Sequence, residues 1–229
     1  MPSDLPDAHS GAQRSPVARV EFDIAARKRQ LREKHRAARH RLSPEQRRRR
    51  DNARMNFLVP LLPRGAVVAT YLSRDDEPAT LSAAAVLWRH GHRVLVPVLS
   101  DRAHRLRKQP RWAWYWGPSA LRPGYRGIPE PAGPVLPAET LTEADVIIVS
   151  GLAGGRDGTR LGAGAGWFDR ALEHARDDAI ILLLVDRDEV LDTVPATQHD
   201  KRVHGIVTES GVVATSRSLA IDGHSSPQG

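Results

Sequence analysis

The chain has 229 residues, of which 27% are charged and 40% apolar. This balance is typical of a globular protein and excludes collagen-like or wholly disordered chains. The chain contains no cysteine, which excludes disulfides, thiolate metal sites and a cysteine nucleophile. The longest apolar run, 179–185, has seven residues, whereas a membrane span needs about 20. The N-terminal segment has no apolar core of a secretory signal, so we expect a cytoplasmic protein without membrane contact.

The net charge is +7, and only four of the 34 basic residues are lysines. A positive surface suits anionic partners such as nucleotides, polycarboxylates or nucleic acid. A GC-rich genome also produces an arginine-rich composition, without selection for any partner. The total charge leaves both explanations open, so the placement of the charges must decide between them.

The two ends of the chain differ in composition from its middle. Residues 1–20 are polar and rich in Pro, Ser and Ala, which predicts a disordered tail, and 222–229 is predicted in the same way. We therefore expect a single domain that spans 21–221.

Two helices are predicted at the start of this domain. In 21–41 the apolar residues share one stripe with charged residues around it. Ser43 is a typical helix N-cap, with Pro44 at the first helical position. This second helix is predicted to end near Leu58, where a proline- and glycine-containing segment follows.

Further along, short apolar strands alternate with helices. The expected elements are strands at 66–72, 94–99, 145–149, 180–185 and 206–208, and helices at 80–90 and 167–175. The proline-rich stretch 101–140 is predicted to be irregular, with short strands. This alternation indicates an α/β fold with three layers, in which helices cover both faces of a mainly parallel sheet.

The segment 160–170 is the most informative one for chemistry. It follows the 145–149 strand, and its three glycines at alternate positions allow consecutive N–H groups to turn toward an anion at the start of a helix. Its spacing matches neither a Walker A loop nor a dinucleotide fingerprint, and a flexible surface turn is the alternative. Arg160 can fork onto phosphate oxygens. Asp169 can hold a magnesium ion that bridges phosphates, or it can simply complement the helix dipole.

A second candidate lies on the first predicted helix. Lys28 and Arg32 are four residues apart and project from the same face. A bound polyphosphate would convert their mutual repulsion into attraction. The alternative is a solvated basic face, because 27–54 contains 13 Lys or Arg residues and only three acidic ones.

Acidic residues follow two of the predicted strands. Asp76 and Glu77 come after the 66–72 strand, and ligands of α/β sheets bind at the carboxyl ends of strands. A carboxylate there can bind the donor groups of a heterocycle, whereas capping of the next helix is the favoured interpretation for Asp76. Asp200 lies after a later strand and can supply a second metal carboxylate. His199 beside it is only a weak indication of a transition-metal site.

An aromatic cluster, Trp112, Trp114, Tyr115 and Trp116, lies among basic residues. Proteins that bind single-stranded nucleic acid stack bases on such clusters. The edge of a hydrophobic core gives the same pattern and is the favoured interpretation. We therefore expect no nucleic-acid partner.

Five motifs, in this order along the chain, resemble those of the 5-formyltetrahydrofolate cyclo-ligases, also called 5,10-methenyltetrahydrofolate synthetases. The most specific is Arg-Leu-Gly-Ala-Gly-Ala-Gly-Trp-Phe-Asp-Arg at 160–170, where the family has Arg-Leu-Gly-x-Gly-x-Gly-Tyr-Tyr-Asp-Arg. The other four lie at 28–32, 71–80, 127–131 and 195–209. The resemblance therefore extends over most of the chain.

The resemblance implies an ATP-dependent ligase that closes 5-formyltetrahydrofolate to 5,10-methenyltetrahydrofolate and releases ADP and phosphate. The formyl oxygen would attack the γ-phosphate to give an imino-phosphate, and N10 would then attack the formyl carbon as phosphate leaves. Catalysis would depend on positioning and on neutralisation of phosphoryl charge. A monomer is expected. The alternative is a relative that binds nucleotide or folate without turnover.

The same resemblance implies roles for individual residues. Lys28 and Arg160 would be catalytic. The ATP-binding residues would be Lys28, Arg32, Arg160, Leu161, Gly162, Ala163, Gly164, Ala165, Gly166, Trp167 and Phe168. The folate-binding residues would be Leu72, Glu77, Gly164, Gly166 and Trp167. Asp169 and Asp200 would bind Mg²⁺ as the cofactor.

The sequence departs from the family pattern in two places near the glycine-rich motif. The family usually has Pro-Gly-x-Ala-Phe-Asp before it, whereas this chain has Ser-Gly-Leu-Ala-Gly-Gly at 150–155. Trp167 and Phe168 replace a Tyr-Tyr pair, which removes two hydroxyls. We expect these departures to affect the activity level and the fit of the folate, not the fold.

Overall fold

The computed structural model describes residues 16–74, 77–101, 103–197 and 200–217. The predicted C-terminal tail, most of the predicted N-terminal tail, Asp76 and His199 lie outside these described residues.

The helices agree closely with the prediction. They are α1 Pro16–His40, α2 Pro44–Leu58, α3 Thr80–Arg89 and α4 Trp167–Leu172. α1 begins five residues earlier than predicted, inside the segment expected to be a tail, and α4 ends three residues early. α2 begins as predicted, because Ser43 Oγ accepts from the Gln46 N–H and the Gln46 side chain accepts from the Ser43 N–H, a capping box.

The strands of the described residues form one large sheet and two small ones. They are β1 Val67–Thr70, β2 Arg93–Pro97, β3 Trp112–Trp114, β4 Leu121–Pro123, β5 Pro129–Pro131, β6 Val146–Ser150, β7 Ala153–Gly155, β8 Arg160–Leu161, β9 Ile180–Leu184, β10 Val190–Leu191, β11 Gly205–Thr208 and β12 Gly211–Ala214. The large sheet has the order β12-β11-β9-β6-β1-β2-β3. Its five inner strands pair in parallel, and β3 and β12 are antiparallel edges. The predicted α/β fold with a mainly parallel sheet is thereby confirmed.

The winding of the sheet reverses between β1 and β6. The chain passes from β1 through α3 to β2 on one side, and from β6 through α4 to β9 on the other. Because such crossovers are right-handed, α3 and α4 cover opposite faces of the sheet. In sheets of this kind ligands bind outside the carboxyl ends of the strands at the point of reversal. Here that point is the space beyond Thr70 and Ser150.

The core lies between the sheet and the helices that cover it. Leu58 of α2, Leu87 of α3, Leu172 of α4 and Ile147 of β6 all lie within it, almost completely buried. Trp112 and Tyr115 are buried as well, as the core-edge interpretation of the aromatic cluster predicts, while Trp116 is 64% exposed. No helix within the described ranges is both long and apolar enough to cross a membrane.

Charged contacts, more than an apolar stripe, hold α1 in place. The guanidinium of Arg39 donates two hydrogen bonds of 2.7 Å to the Glu189 carboxylate and one of 2.7 Å to the Gly151 carbonyl. Leu31 adds a contact with the small apolar cluster around Leu161. These contacts bring the cations in the middle of α1, Lys28, Arg32 and Arg36, to the glycine-rich segment that follows β6.

Candidate functional site

Two cavities adjoin each other at the carboxyl ends of β1 and β6. The first, here called the cationic cavity, has a volume of about 200 Å³ and lies between α1 and the glycine-rich loop 162–166. The second, the apolar cavity, has a volume of about 330 Å³. The residues that line both cavities are Ser150, Ala163, Ala165, Trp167 and Phe168.

The cationic cavity collects most of the residues predicted to bind ATP and metal. It is lined by Lys28, Arg32, Ser150, Arg160, Gly162, Ala163, Gly164, Ala165, Gly166, Trp167, Phe168, Asp169 and Asp200. Leu161 is the exception among the predicted ATP-binding residues. Its side chain is fully buried, and its carbonyl accepts from the Leu152 N–H at 2.7 Å. Leu161 therefore anchors the start of the loop in the core and does not line the cavity.

Lys28 and Asp200 form an ion pair across the cavity, with 2.7 Å between Lys28 Nζ and Asp200 Oδ2. The same oxygen accepts from the Thr197 N–H at 2.7 Å. Burial by itself would raise the pKa of the Asp200 carboxyl, but the Lys28 and Thr197 hydrogen bonds outweigh burial and lower it. Asp200 is therefore a stable anion that fixes the Lys28 ammonium at the edge of the cavity.

Arg160 and Asp169 form the second ion pair of the cavity. The guanidinium of Arg160 bonds to the Asp169 carboxylate, and Arg160 is 5% exposed. Arg160 Nε is buried and has no hydrogen-bond partner among the described residues. An unsatisfied buried donor is costly in a folded protein, so this guanidinium has capacity left for a further acceptor.

The glycine-rich loop is shaped by two residues in the left-handed region, Gly164 with φ +108° and Gly166 with φ +63°. Arg32 Nε donates to the Gly162 carbonyl at 2.9 Å, and the Arg36 guanidinium donates to the Ala163 carbonyl at 2.8 Å. The loop carbonyls therefore turn toward α1.

The amide groups of the same loop are unused. Among the described residues, the N–H groups of Ala163, Gly164 and Ala165 have no hydrogen-bond acceptor. They are available to an anion, as the sequence predicts. α4 has only six residues, so we assign the positive character of the cavity to side chains and loop amides and not to a helix dipole.

The apolar cavity contains three of the residues predicted to bind folate, Leu72, Glu77 and Trp167. Gly164 and Gly166, also predicted to bind folate, line only the cationic cavity. The apolar walls that sequence reasoning missed are Tyr71, Pro97, Leu99, Leu106, Tyr125 and Ile128. Four arginines, Arg36, Arg74, Arg126 and Arg170, also line this cavity, and the last three of these are exposed.

Trp167 forms the wall between the two cavities. Its ring meets Phe168 at 5.0 Å and Trp112 at 5.1 Å between centroids, both edge to face. Such contacts with buried rings fix the orientation of an aromatic side chain. Glu77 faces the same space, and its carboxylate accepts from the Arg74 N–H at 3.0 Å.

Comparison with known proteins agrees with this geometry. The family model described as the 5-formyltetrahydrofolate cyclo-ligase family matches residues 24–209. The chain belongs to this family. It is 40% identical to the 5-formyltetrahydrofolate cyclo-ligase of Mycolicibacterium smegmatis over 151 residues, which cover 66% of this chain and 77% of that protein.

One further relative supports the family assignment, and one solved structure supports the fold. The Escherichia coli 5-formyltetrahydrofolate cyclo-ligase is 30% identical over 181 residues, which cover 77% of this chain and 97% of that protein. The NMR structure of Aquifex aeolicus 5,10-methenyltetrahydrofolate synthetase superposes with a TM-score of 0.69 at 24% identity, over 86% of this chain and 97% of that chain. This last likeness concerns the fold.

Within this cyclo-ligase fold, Glu130 explains how a proline-rich segment can form a cavity wall. Glu130 is fully buried, and its carboxylate accepts from the Leu99 N–H at 2.9 Å, the Ser100 N–H at 2.7 Å and Ser100 Oγ at 2.6 Å. These bonds hold the segment after β2, which carries Leu99, against the segment that carries Ile128, so that both residues line the apolar cavity. The family motif at 127–131 was the signal for this wall, although it assigned no role to Glu130.

The two carboxylates of the cationic cavity fit a magnesium ion that arrives with a nucleotide. Magnesium prefers oxygen ligands and is usually held by one or two carboxylates together with phosphate oxygens and waters. Asp169 and Asp200 line the same cavity and supply such oxygens. Within the described ranges no group of three or more His, Asp or Glu side chains could hold a metal ion by itself.

Proposed function

We propose that the protein catalyses the ATP-dependent conversion of 5-formyltetrahydrofolate to 5,10-methenyltetrahydrofolate, with release of ADP and phosphate. One observation carries the proposal: a cavity lined by cations and free loop amides opens beside an apolar cavity, and they share Ser150, Trp167 and part of the loop. A phosphoryl donor and a flat heterocyclic acceptor can therefore meet at this junction.

The nucleotide phosphates bind in the cationic cavity. Lys28, Arg32 and Arg160 supply positive charge, and the amides of the 162–166 loop supply donors that no other group in the described chain occupies. Lys28 and Arg160 are already paired with carboxylates, so a phosphate that binds becomes an additional partner of these ion pairs. When the phosphate leaves, each cation still has its carboxylate. This arrangement suits a substrate that must bind and leave in every turnover.

The folate binds in the apolar cavity. Its ring system packs against Leu72, Tyr71 and Trp167, and the Glu77 carboxylate accepts from ring N–H donors. The arginines of this cavity suit the carboxylates of the glutamate part of the substrate. The positive net charge of the chain thereby serves two anionic substrates, and no nucleic-acid partner is needed to explain it.

The chemistry follows from this placement. The formyl oxygen attacks the γ-phosphorus, the bond to ADP breaks, and the resulting imino-phosphate is attacked at the formyl carbon by N10. Phosphate leaves with the former formyl oxygen. Lys28 and Arg160 hold the transferred phosphoryl group in line, which is the main contribution that proteins make to such transfers.

We also propose magnesium as the cofactor. Asp169 and Asp200 would hold it, and it would neutralise charge on the nucleotide phosphates. A monomeric enzyme of the cytoplasm remains our expectation for the assembly and location of the chain.

A single assay tests the proposal. Purified protein is mixed with ATP, magnesium and 5-formyltetrahydrofolate, and the near-ultraviolet absorbance of the product is followed together with ADP release. We expect both signals, each dependent on all three additions. ATP binding by calorimetry with neither signal would instead favour the alternative of a nucleotide-binding relative without turnover.

A further inference from the structure

Ser150 occupies the point where the two cavities meet. It is the last residue of β6, after four fully buried apolar residues, and it pairs in register with Leu184 of β9. β6 borders the reversal of the sheet winding, where α/β proteins bind their ligands. Ser150 lines both cavities.

The Ser150 hydroxyl is free and open to this space. Ser150 is partly exposed, and its hydroxyl makes no hydrogen bond within the described parts of the chain. The other residues shared by the cavities are two alanines, Phe168 and Trp167, and Trp167 Nε1 is buried. Ser150 is therefore the side chain that offers an accessible hydrogen-bond donor among the five residues of the junction.

The surroundings argue against a nucleophilic role for this serine. A serine nucleophile needs a neighbouring base that takes its proton. Among the described residues no histidine lines either cavity, the carboxylates of Asp169 and Asp200 are paired with Arg160 and Lys28, and the Glu77 carboxylate accepts from the Arg74 N–H. The hydroxyl is suited to donating a hydrogen bond, not to forming a covalent intermediate.

We propose that Ser150 is a catalytic residue whose hydroxyl donates a hydrogen bond to a γ-phosphoryl oxygen of ATP and holds that group toward the apolar cavity. The inference rests on the proposed function. No bond to Ser150 forms or breaks. The family pattern usually has proline at this position, which has no donor, so the contact is a feature of this chain.

A binding measurement tests the proposal without requiring turnover. Calorimetry gives the affinities for AMP-PNP and for ADP, each with magnesium, in the wild type, Ser150→Ala and Ser150→Thr. A hydrogen bond to a charged oxygen is worth roughly a tenfold change in affinity. We expect Ser150→Ala to lose about this factor for AMP-PNP and less than about twofold for ADP. Thr keeps the hydroxyl and suits a strand, so Ser150→Thr is expected to restore the affinity for AMP-PNP.

Ser82→Ala serves as the matched control, because Ser82 is exposed on α3 and lines neither cavity. The proposal is overturned if Ser150→Ala binds AMP-PNP as the wild type does, or if it loses affinity for both nucleotides equally. Urea unfolding of each variant establishes that the fold is retained. The outcome is separate from that of the proposed function, since a wild type without turnover would refute the cyclo-ligase activity and leave the affinity comparison intact.

In an active enzyme the same variants give a second readout. Ser150→Ala is expected to lower kcat by about tenfold with little change in the KM for 5-formyltetrahydrofolate. A rise in this KM with unchanged kcat would place the hydroxyl on the folate and would contradict the assignment to the γ-phosphate.

Discussion

Cations in the middle of α1 and at its C-terminal end are used differently. At the C-terminal end, Arg39 and its partner Glu189 are each 4% exposed, and the Arg39 guanidinium donates three hydrogen bonds to protein acceptors. In the middle of the helix, Lys28 and its partner Asp200 are 14% and 19% exposed and face a cavity. The composition of the helix does not distinguish these roles; burial does.

The difference shows which ion pairs belong to the fold and which belong to the site. Burial raises the pKa of Glu189 even though Arg39 opposes this effect, whereas the pKa of Asp200 is lowered. A buried pair cannot exchange its partner for water or ligand without a large penalty. A pair at a cavity edge can accept a phosphate as an additional partner.

The largest expected effect is a loss of stability when the buried ion pair of Arg39 and Glu189 is broken. Arg39→Ala removes the guanidinium from the Glu189 carboxylate, which keeps the Asp186 N–H as a donor, and from the Gly151 carbonyl. We expect a loss of about 3–5 kcal/mol in the free energy of unfolding, measured in urea. Arg39→Lys is the companion variant. Its free energy of unfolding should lie between those of the wild type and Arg39→Ala, because an ammonium keeps the charge but cannot donate two parallel hydrogen bonds to the carboxylate. A loss below about 1 kcal/mol for Arg39→Ala would contradict the difference between the buried ion pair and the pair at the cavity.

The second effect is on turnover, at the cavity. Asp169→Asn keeps the size of the side chain but removes the charge that faces the nucleotide. We expect ADP release to fall by about 100-fold or more, because Asp169 would hold the magnesium ion that neutralises phosphoryl charge and also orients the Arg160 guanidinium. Asp169 is 39% exposed, and the Asn carbonyl can still accept from the buried Arg160 guanidinium, so the loss of stability in urea should be smaller than for Arg39→Ala. Unchanged turnover would count against Asp169 as part of the site.

The third effect concerns nucleotide binding at α1. Lys28→Met removes one cation from the cavity, and the KM for ATP should rise by about tenfold. Arg29→Met is the matched control, because Arg29 is the next residue, is exposed and lines neither cavity. Equal effects of the two variants would show that the overall charge of α1 matters and that the pair with Asp200 does not.

The smallest effect is a pH dependence at His35, which lies on α1 between the two groups of cations. Burial, with the charges of Lys34 and Arg39, lowers the pKa of His35, and its Nε2 has no partner within the described ranges. The unfolded chain therefore binds a proton that the folded chain does not, and stability should fall as the pH drops below about 6.5.

His35→Gln should flatten this slope in urea unfolding between about pH 5 and 7, because glutamine does not titrate there. His90→Gln is the control, since His90 is exposed at the end of α3. A slope that persists in His35→Gln would mean that other groups cause the loss of stability on acidification.

Much of the sheet is predictable because burial on both faces leaves a clear sequence signal. β6 and β9 are almost entirely apolar, and both were expected within one or two residues. β12 was missed, since an edge strand with alternating exposure, such as Gly211–Ala214, has too short a pattern to detect. The early start of α1 was missed because its first residues have the composition of a tail.

The candidate site likewise has a part that the sequence predicts and a part that it does not. The charged residues were predicted because they lie within short motifs, the glycine-rich motif at 160–170 and the 28–32 motif that contains Lys28 and Arg32. The apolar walls depend on long-range contacts, such as those of Glu130 with Leu99 and Ser100, which spacing along the chain does not encode.

A crystal structure of the protein with AMP-PNP and magnesium would show where the triphosphate binds. We expect the triphosphate in the cationic cavity, with the loop amides of 163–165 and the Arg160 guanidinium on its oxygens and the γ-phosphate at the junction of the two cavities. A nucleotide bound elsewhere, or a loop whose amides point away from the phosphates, would contradict it.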